Sequence, residues 1–327
     1  MSGEPIEDVL DLRDQRLIAA LQCDGRLTAE RAAEVLGLNT RVVHRRLAAL
    51  LGSGTVRVCA RTGGAPYPPA MLLRISVLRG KAETVARALA ERDDIPFVDL
   101  SASGDEIGAI LIAEPGTPNR LVFRQLPATG SVVSVDAQTV LHVFEGGTAA
   151  DWRLDVLTPA ERTALTPPHR RDPADTPDRT DRGILAALAG DGRATAAVVA
   201  RRTGGAESTV RRRLASLRER GLLLTEVHVD ARRLGLPIDA NLRMRVPPGE
   251  LDALGRRLAG HPAVHGVLAT TGAANLHVAV WLRSLADLYA FLTRDIGGLG
   301  VPSVDTFLVG RAVKRPSGSP SVSPVVS

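Results

Sequence analysis

The stretch that decides the fold is NTRVVHRRLAALL at residues 39–51, which returns as AESTVRRRLASLR at residues 206–218. Apolar residues recur in both copies at the spacing of one helical face. These residues are Val43, Leu47 and Leu50 in the first copy, and Val210, Leu214 and Leu217 in the second. The opposite face is rich in arginine. Each stretch is therefore predicted to be a helix that packs on one side and presents positive charge on the other.

These helices belong to a longer internal repeat. Residues 14–56 align without gaps on residues 181–223, and 18 of the 43 aligned pairs are identical. Both copies contain Asp-Gly-Arg, at residues 24–26 and 191–193, which we interpret as a helix end and turn. The offset of 167 residues is far longer than the period of ~20 to 50 residues found in solenoids. The chain is therefore interpreted as a duplicated pair of domains.

Two shorter helices precede each basic helix. The second of them is predicted to begin at Thr28 or Thr195, whose hydroxyl can accept a hydrogen bond from a free backbone N–H. Gly37 and Gly204 follow and can adopt the left-handed conformation that ends a helix. Three short helices with a glycine turn between the last two predict a helix-turn-helix, and we call the last helix of each copy the reader helix. In this motif it enters the major groove of DNA.

The outward face of each reader helix supplies candidate DNA contacts. Guanidinium groups can bind a guanine edge or phosphate oxygens, and hydroxyl or amide groups at a helix start can bind phosphates. A solvated charged face is the alternative, but the same pattern in both copies favours DNA binding. The candidates are Asn39, Thr40, Arg41, His44, Arg45 and Arg46 in the first copy, and Ser208, Thr209, Arg211, Arg212 and Arg213 in the second.

After each helical repeat, short strands alternate with helices. The first set is predicted as strands 71–78, 97–101, 106–113 and 131–144 with helices 81–92 and 118–126; the second as strands 238–246, 264–270, 275–282 and 304–313 with helices 250–258 and 284–296. The order βαββαβ is that of a ferredoxin-like domain. The fold class is therefore α+β, with two winged-type helix-turn-helix domains each followed by a βαββαβ domain. Apolar residues such as Ile110 and Val280 also predict a second buried sheet face, covered by pairing of the two halves within the chain, between chains, or both.

These patterns give the following domain boundaries. The predicted domains are helix-turn-helix domains at 8–60 and 179–230, βαββαβ domains at 68–145 and 234–314, a linker at 146–178 and a disordered tail at 315–327. The linker contains several prolines, with a short helix predicted near residues 159–165. At ~3 Å per extended residue, such a linker is long enough to leave the two reader helices independently placed.

Composition narrows the possible functions. A chain of 327 residues accommodates two or three domains, and its net charge of +5 with a pI near 9.9 favours a polyanionic partner. No apolar run approaches the ~18 to 20 residues of a membrane helix, and the acidic start at Glu4 and Glu7 argues against a secretion signal, so a cytoplasmic location is predicted. The two cysteines are far apart and the histidines do not cluster, so neither a metal nor a cofactor is predicted.

The repeated motifs resemble the leucine-responsive/asparagine-operon (Lrp/AsnC) regulators. The resemblance is carried by Leu10, Asp11, Asp14, Leu17, Ile18, Leu21, residues 24–26, Gly37, Leu38, Asn39, Arg45, Leu50, Gly54 and Val56, and in the second copy by Asp181, Ile184, Leu185, residues 191–193, Val210, Arg212, Leu217 and residues 221–223. Asn39 and Ala206 stand where the family usually has a serine cap. Members usually have one DNA-binding and one effector-sensing domain and assemble as dimers or larger rings. This chain looks like two such subunits fused.

The resemblance also implies a place for a small-molecule effector, often an amino acid. In the family it binds near the turn between the second and third strands of the sensing domain. The matching residues are Ser103, Gly104 and Asp105 in the first half, and Thr270, Thr271, Gly272 and Asn275 in the second. Backbone N–H groups and hydroxyls at such turns can hold a carboxylate or an amino group. A plain hairpin turn is the alternative at each site.

The leading hypothesis is a sequence-specific DNA-binding regulator, not an enzyme, modulated by a small molecule. Its expected partners are double-stranded DNA, an amino acid or similar effector, and a second copy bound through the βαββαβ domains, with no membrane. Because the outward faces of the two reader helices differ, their half-sites need not be identical. The alternative is a sirohaem decarboxylase, since those enzymes resemble this architecture and also occur as fused chains. Those enzymes carry a His-Asn-Tyr type stretch at the hairpin between the second and third strands. Here the first such hairpin has neither His nor Tyr, and the second has only Asn275 and His277.

Overall fold

We analysed a computed structural model of the chain, which describes residues 9–64, 67–114, 116–144, 146–168, 170, 172 and 174–315. The predicted tail lies outside these residues except for Arg315. The elements of the first half are α1 (Leu12–Cys23), α2 (Ala29–Leu36), α3 (Thr40–Gly52), β1 (Arg57–Thr62), β2 (Ala70–Val77), α4 (Ala82–Ala90), β3 (Phe97–Ser101), β4 (Glu106–Ile112), a π-helical turn (Leu121–Gln125) and β5 (Val132–Val143).

The second half repeats this order after one additional helix. Its elements are α5 (Pro159–Leu165), α6 (Arg179–Leu188), α7 (Ala196–Thr203), α8 (Glu207–Glu219), β6 (Leu223–His228), a 3-10 turn (Ala231–Leu234), β7 (Ile238–Arg245), a 3-10 turn (Pro248–Glu250), α9 (Leu251–Ala259), β8 (Val264–Thr270), β9 (Leu276–Leu282), α10 (Leu285–Ala290), a π-helical turn (Phe291–Ile296) and β10 (Ser303–Lys314). The predicted α+β class and the βαββαβ order are confirmed. Among the described residues, no helix is both long and apolar enough to cross a membrane.

The described chain divides into two compact units, and each draws on both halves of the sequence. The helical unit combines residues 9–64 with residues 153–230, and the sheet unit combines residues 67–152 with residues 231–315. Each unit therefore contains one copy from either side of the duplication. The units are described separately below.

Each copy in the helical unit is held by local signals that the sequence contains. Asp11 caps α1 by accepting a hydrogen bond from the Asp14 backbone N–H, and Asp178 caps α6 in the equivalent way. Gly37 and Gly204 take the left-handed conformation at the ends of α2 and α7, with φ of 65° and 70°, where a Cβ would be strained. Each reader helix, α3 or α8, packs its predicted apolar face inward.

The two copies pack against each other through β1 and β6. These strands pair in antiparallel register, and the central pair joins Cys59 to Glu226, which occupy equivalent positions of the repeat. The two copies are therefore related by an approximate twofold axis within one chain. Neither strand was predicted from the sequence. Both are short and mixed in polarity, and each pairs with the equivalent strand of the other copy.

The repeated Asp-Gly-Arg motif forms the second contact between the copies. Arg26 donates hydrogen bonds to the carbonyl oxygens of Gly192 and, at 3.0 Å, Ala194. Arg193 donates in return to the carbonyl oxygens of Gly25 and, at 3.1 Å, Leu27. Burial lowers the pKa of both guanidinium groups. The motif is thus more than a helix end: it exchanges four hydrogen bonds between the copies.

The linker does not leave the two copies independently placed. Helix α5 begins with a capping box at Thr158 and Glu161 and packs against α1 and α2. Glu161 also forms an ion pair with Arg16, and the Gln22 side chain accepts a hydrogen bond of 2.9 Å from the Leu154 backbone. The expectation of a loose spacer is wrong for this region, because the segment buries apolar and polar groups against the first copy.

The sheet unit is one closed sheet built from both halves. Its strand order is β10-β3-β4-β2-β5-β8-β9-β7, with β7 pairing back to β10. Within each half the order is that of a ferredoxin-like domain. The halves join edge to edge at two seams, β5 with β8 and β10 with β3. Both sheet edges of each half are therefore used within the chain.

Each half has its own apolar core on the helix-facing side of the sheet. In the first half, Ile75, Ile107 and Leu111 pack with α4. In the second half, Leu242, Val278 and Val280 pack with α9 and the π-helical turn around Phe291. Burial of such side chains contributes about 1.5–3 kcal/mol each, so each half is stabilised by a separate core.

The opposite sheet face carries ion pairs in addition to the apolar layer that was predicted there, which includes the buried Phe307 and the half-buried Ile110. Arg74 forms ion pairs with Glu106, at 2.7 Å, and with Asp305 of the other half. Arg243 forms the reciprocal pair with Asp136. Ion pairs between the halves therefore lie on this face together with apolar side chains. The sequence pattern could not show these ion pairs, because each joins residues of different halves. Arg74 of the first half thus binds a carboxylate of the second half, and Arg243 of the second half binds one of the first. The arginines of the helical unit bind reciprocally between its two copies in the same way.

A largely buried carboxylate on β3, that of Asp99, predicts a pH dependence of stability. Burial, reinforced by the neighbouring Asp239 carboxylate and partly offset by Arg315, raises the pKa of Asp99 from 3.8 to about 6. A folded-state pKa above the unfolded value means that stability is gained as the pH falls through about 6 and lost as it rises. We expect Asp99→Asn to unfold at a higher temperature than wild type at pH 8, and the difference to shrink towards pH 5.

The measurement is thermal unfolding of wild type, Asp99→Asn and the exposed control Asp93→Asn across this pH range. The comparison between variants is needed because burial lowers the pKa of His277 to about 4, so this histidine costs stability as the pH falls below about 6.5. Equal unfolding temperatures for Asp99→Asn and wild type at pH 8 would contradict the assignment of Asp99.

Candidate nucleic-acid interface and effector cleft

The outward face of the first reader helix, α3, is exposed and carries unpaired positive charge. Arg41, His44 and Arg45 are all exposed, and neither arginine has an ion-pair partner among the described residues. Asn39 caps the helix by accepting hydrogen bonds from the Arg41 and Val42 backbone N–H groups at 3.0 and 3.3 Å. The face borders an open concave space of about 750 Å³. It can therefore present guanidinium groups to a phosphate or a base edge without breaking an internal bond.

The second reader helix, α8, presents a different face. Ser208, Arg211 and Arg212 are exposed, whereas Thr209 is half-buried. Arg211 forms an ion pair with Glu207, one turn earlier, and Arg212 has no ion-pair partner among the described residues. Ala206 gives no side-chain cap. The face is therefore basic but includes a carboxylate at its start.

Two of the arginines predicted to contact DNA form ion pairs within the protein. Arg46 donates to Asp11 and Asp14, both at 2.8 Å, and Arg213 donates at 2.6 and 3.2 Å to the equivalent aspartates Asp178 and Asp181. These positions lie on the flank of the reader helix that faces the first helix of each copy. These ion pairs fix the reader helix to α1 or α6, so contact of either arginine with DNA, which remains a prediction, would require it to share or exchange its aspartate partners.

Sequence reasoning missed the residues that join the two copies. Arg26 and Arg193 lie 166 and 168 positions from the carbonyl groups that they contact, so no local pattern shows their role. The available signal was that Asp-Gly-Arg is present in both copies, although a helix end and turn do not require arginine at the third position. A structural demand on that side chain explains the repetition.

The predicted effector turn of the first half borders an open cleft of about 280 Å³. It is lined by Gly80, Ala82, Glu83, Leu100, Ser101, Ala102, Gly104, Gly310 and Arg311. Gly104 belongs to the predicted set, whereas Ser103 and Asp105 lie beside the cleft and hydrogen-bond each other at 2.6 Å. Gly310 is required for the close approach, because a Cβ there would lie 2.9 Å from the Ala102 Cα. Arg311 and Glu83 form an ion pair at the cleft, so both signs of charge are present.

The equivalent turn of the second half is closed. The Thr270 hydroxyl lies 3.2 Å from the side-chain amide of Gln138, and a Cβ at Gly272 would meet that amide at 2.8 Å. Asn275 exchanges hydrogen bonds of 2.8 and 2.9 Å with the Val246 backbone, and Thr271 accepts from the Thr139 backbone. The structure brings these four predicted residues together, but their polar groups are already satisfied. Among the described residues, no group of three His, Cys, Asp or Glu side chains is placed to hold a metal ion.

Comparisons with known proteins bear on both units. A family model described as winged helix-turn-helix DNA-binding matches residues 10–57 and 177–223, and one described as the Lrp/AsnC ligand binding domain matches residues 239–318. The chain is 30% identical over 146 residues to the HTH-type transcriptional regulator FL11 of Pyrococcus horikoshii. The aligned region covers 44% of this chain and 95% of that protein. The chain belongs to the Lrp/AsnC family of transcriptional regulators. The FL11 regulator of Pyrococcus furiosus gives the same identity and coverage.

One solved structure shares the fold of nearly the whole chain. The siroheme decarboxylase NirDL matches with a TM-score of 0.55 and 14% sequence identity, and the match covers 93% of each chain. At this identity the likeness shows the fold alone. The two proteins therefore share a fold over 93% of each chain, while their sites must be compared residue by residue.

Proposed function

We propose that a single chain of this Lrp/AsnC regulator supplies both reader helices for one DNA site. The observation that carries the proposal is the approximate twofold pairing of the two helix-turn-helix copies through β1–β6 and the reciprocal arginines Arg26 and Arg193. Two-fold helix-turn-helix proteins bind two half-sites. In this chain both helix-turn-helix copies belong to one polypeptide, so one molecule can contact both half-sites.

The DNA contacts that we assign to α3 are Thr40, Arg41, His44 and Arg45, with Asn39 as the helix cap. Those assigned to α8 are Ser208, Thr209, Arg211 and Arg212. Most of the affinity of such contacts comes from phosphate neutralisation and falls steeply with salt. The test is a fluorescence anisotropy titration of the full chain with genomic DNA fragments at several salt concentrations. Specific binding with a steep salt slope supports the proposal, and affinity independent of salt contradicts it.

We further propose that the small-molecule effector binds at the first half only. The cleft beside Gly104 offers the guanidinium of Arg311 and the carboxylate of Glu83, which together fit a zwitterion such as an amino acid. The second turn is filled by Gln138. We expect one binding site per chain.

This proposal gives a test by substitution. In calorimetric titrations with an amino-acid panel, Arg311→Ala is expected to weaken binding of the active ligand by about 10-fold or more, since a charge-assisted hydrogen bond is lost. The control Thr271→Ala, at the closed turn, should bind the ligand as wild type does. Equal loss in both variants, or two ligands bound per chain, would contradict a single site at the first half.

We also propose that any assembly of several chains uses surfaces other than the sheet edges. Oligomers are typical of the family, but the sheet edges of both βαββαβ halves are already paired within the chain. A homodimer or larger ring would therefore use other surfaces of these domains. Light scattering of the purified chain measures this. A cytoplasmic location remains a prediction.

A sirohaem decarboxylase is the second candidate, because NirDL shares the fused fold. The two groups that would serve it are engaged elsewhere: Asn275 binds the Val246 backbone, and His277 Nε2 lies 2.8 Å from the Gln138 amide. Burial lowers the pKa of His277 to about 4, so it is neutral at pH 7 and lacks charge for a tetrapyrrole carboxylate. Titration with sirohaem tests this: an unchanged Soret band is expected, and a shifted band with loss of carbon dioxide would favour the enzyme.

A further inference from the structure

The two reader helices differ most at the positions where DNA recognition takes place. The first turn of α3 begins with Thr40 and the equivalent position of α8 is Glu207. One turn later, His44 of α3 corresponds to Arg211 of α8. In helix-turn-helix proteins the N-terminal residues of the recognition helix contact base edges. The difference therefore falls on the residues that specify sequence.

Glu207 and Arg211 form an exposed pair on the outward face of α8. Their side chains are 47% and 71% exposed, and they are joined as an ion pair across one helical turn. The buried side of the helix holds Val210, Leu214 and Leu217, so both charged groups point away from the core. Exposed pairs of this kind contribute little to stability. They can be exchanged for contacts to DNA at small cost.

A carboxylate at this place has a restricted choice of partners on DNA. Phosphates repel it, whereas the N4 amino group of cytosine can donate a hydrogen bond to it in the major groove. The guanidinium of an arginine binds the O6 and N7 atoms of guanine in the same groove. Glu207 and Arg211, side by side, thus offer an acceptor for cytosine and a donor for guanine. The first reader helix has no acid between Asn39 and Leu51 and offers no equivalent acceptor.

We propose that Glu207 and Arg211 specify a neighbouring cytosine and guanine in the half-site of α8, and that the half-site of α3 lacks this requirement. The inference rests on the proposed DNA-binding function. The operator is then asymmetric in base sequence although the protein scaffold is nearly symmetric. The competing role for Glu207 is to stabilise the positive end of the helix dipole, which would affect all DNA sequences equally.

The test is selection of binding sites from a randomised duplex library with the full chain, followed by affinity measurements on the selected duplex. Wild type is expected to select two unlike half-sites. Replacing the specified cytosine should weaken binding by between about 5- and 150-fold, the range for one good base contact. In Glu207→Gln this preference should change from cytosine towards adenine, because an amide side chain can bind adenine N6 and N7, while the preference in the other half-site is kept. The control Glu219→Gln, at the exposed end of the same helix, should keep both preferences.

A gain-of-function variant tests the same inference in the other direction. Thr40→Glu combined with His44→Arg gives α3 the pair found in α8, and the α3 half-site should gain the same requirement for a neighbouring cytosine and guanine. A palindrome selected by wild type overturns the inference. So does Glu207→Gln if it raises affinity for all duplexes by the same factor. If wild type binds DNA without selecting any sequence or does not bind it, the proposed function fails as well, and that result differs from the other two.

Discussion

Replacing Arg45 and Arg212 together by alanine is expected to weaken binding of the full chain to its DNA site by at least about 10-fold at fixed salt. These two arginines occupy equivalent, exposed positions of the two reader helices, and neither has an ion-pair partner among the described residues. Because they are free in the unbound protein, their loss removes contacts to DNA without breaking an internal bond. The measurement is an anisotropy titration with the selected duplex.

Two controls separate this effect from loss of charge and loss of fold. Arg124→Ala removes one exposed charge from the sheet unit and should leave the affinity close to that of wild type. Thermal unfolding of the double variant should match wild type, since surface substitutions usually change stability by less than about 0.5 kcal/mol. An affinity unchanged in the double variant, or reduced equally by Arg124→Ala, would contradict the placement of the DNA interface on α3 and α8.

Gly192→Ala is expected to destabilise the helical unit by about 1–3 kcal/mol, the usual cost of overpacking. A Cβ at this position would lie 2.8 Å from the Cys59 carbonyl carbon and 2.9 Å from its oxygen. These are backbone atoms of β1, which the hydrogen bond of 2.7 Å from the Gly192 N–H to the Val58 carbonyl holds in place. The neighbour cannot move aside without weakening the β1–β6 pairing, so the glycine is needed for the two copies to approach.

The chain contains a matched control two residues away. A Cβ at Gly190 would have no atom within 4 Å, so Gly190→Ala is expected to be neutral or slightly stabilising through the unfolded state. The measurement is denaturant unfolding of both variants and wild type, with DNA affinity as a second readout. If the two alanine variants have equal stability, the close pairing of the copies at the Asp-Gly-Arg motif is wrong.

Most of the fold could be predicted from the sequence because its signals are local. Helix caps at Thr28 and Thr195, left-handed glycines at Gly37 and Gly204, and apolar periodicity all lie within a few residues of the element that they define. The βαββαβ order followed from period and turn signals. By contrast, β1 and β6 are stabilised by each other across the duplication, and no local pattern can show a partner that distant in sequence.

The candidate site was predictable in its location but not in its detail. The basic outward face of each reader helix follows from helical spacing, and Arg41, Arg45 and Arg212 lie exposed on it. The same spacing could not separate Arg46 and Arg213, which turn to aspartates on another helix. The effector turns were found from the resemblance alone, which gave no sign that Gln138 closes the second one. Such details depend on side chains that meet only in the folded chain.

Hydroxyl-radical footprinting of the selected duplex tests most directly whether one chain uses both reader helices. Wild type is expected to protect two tracts of the duplex, about one helical turn apart. Arg45→Ala alone should remove protection from one tract, and Arg212→Ala alone should remove it from the other. A single protected tract in wild type, or the same tract lost in both variants, would contradict the account.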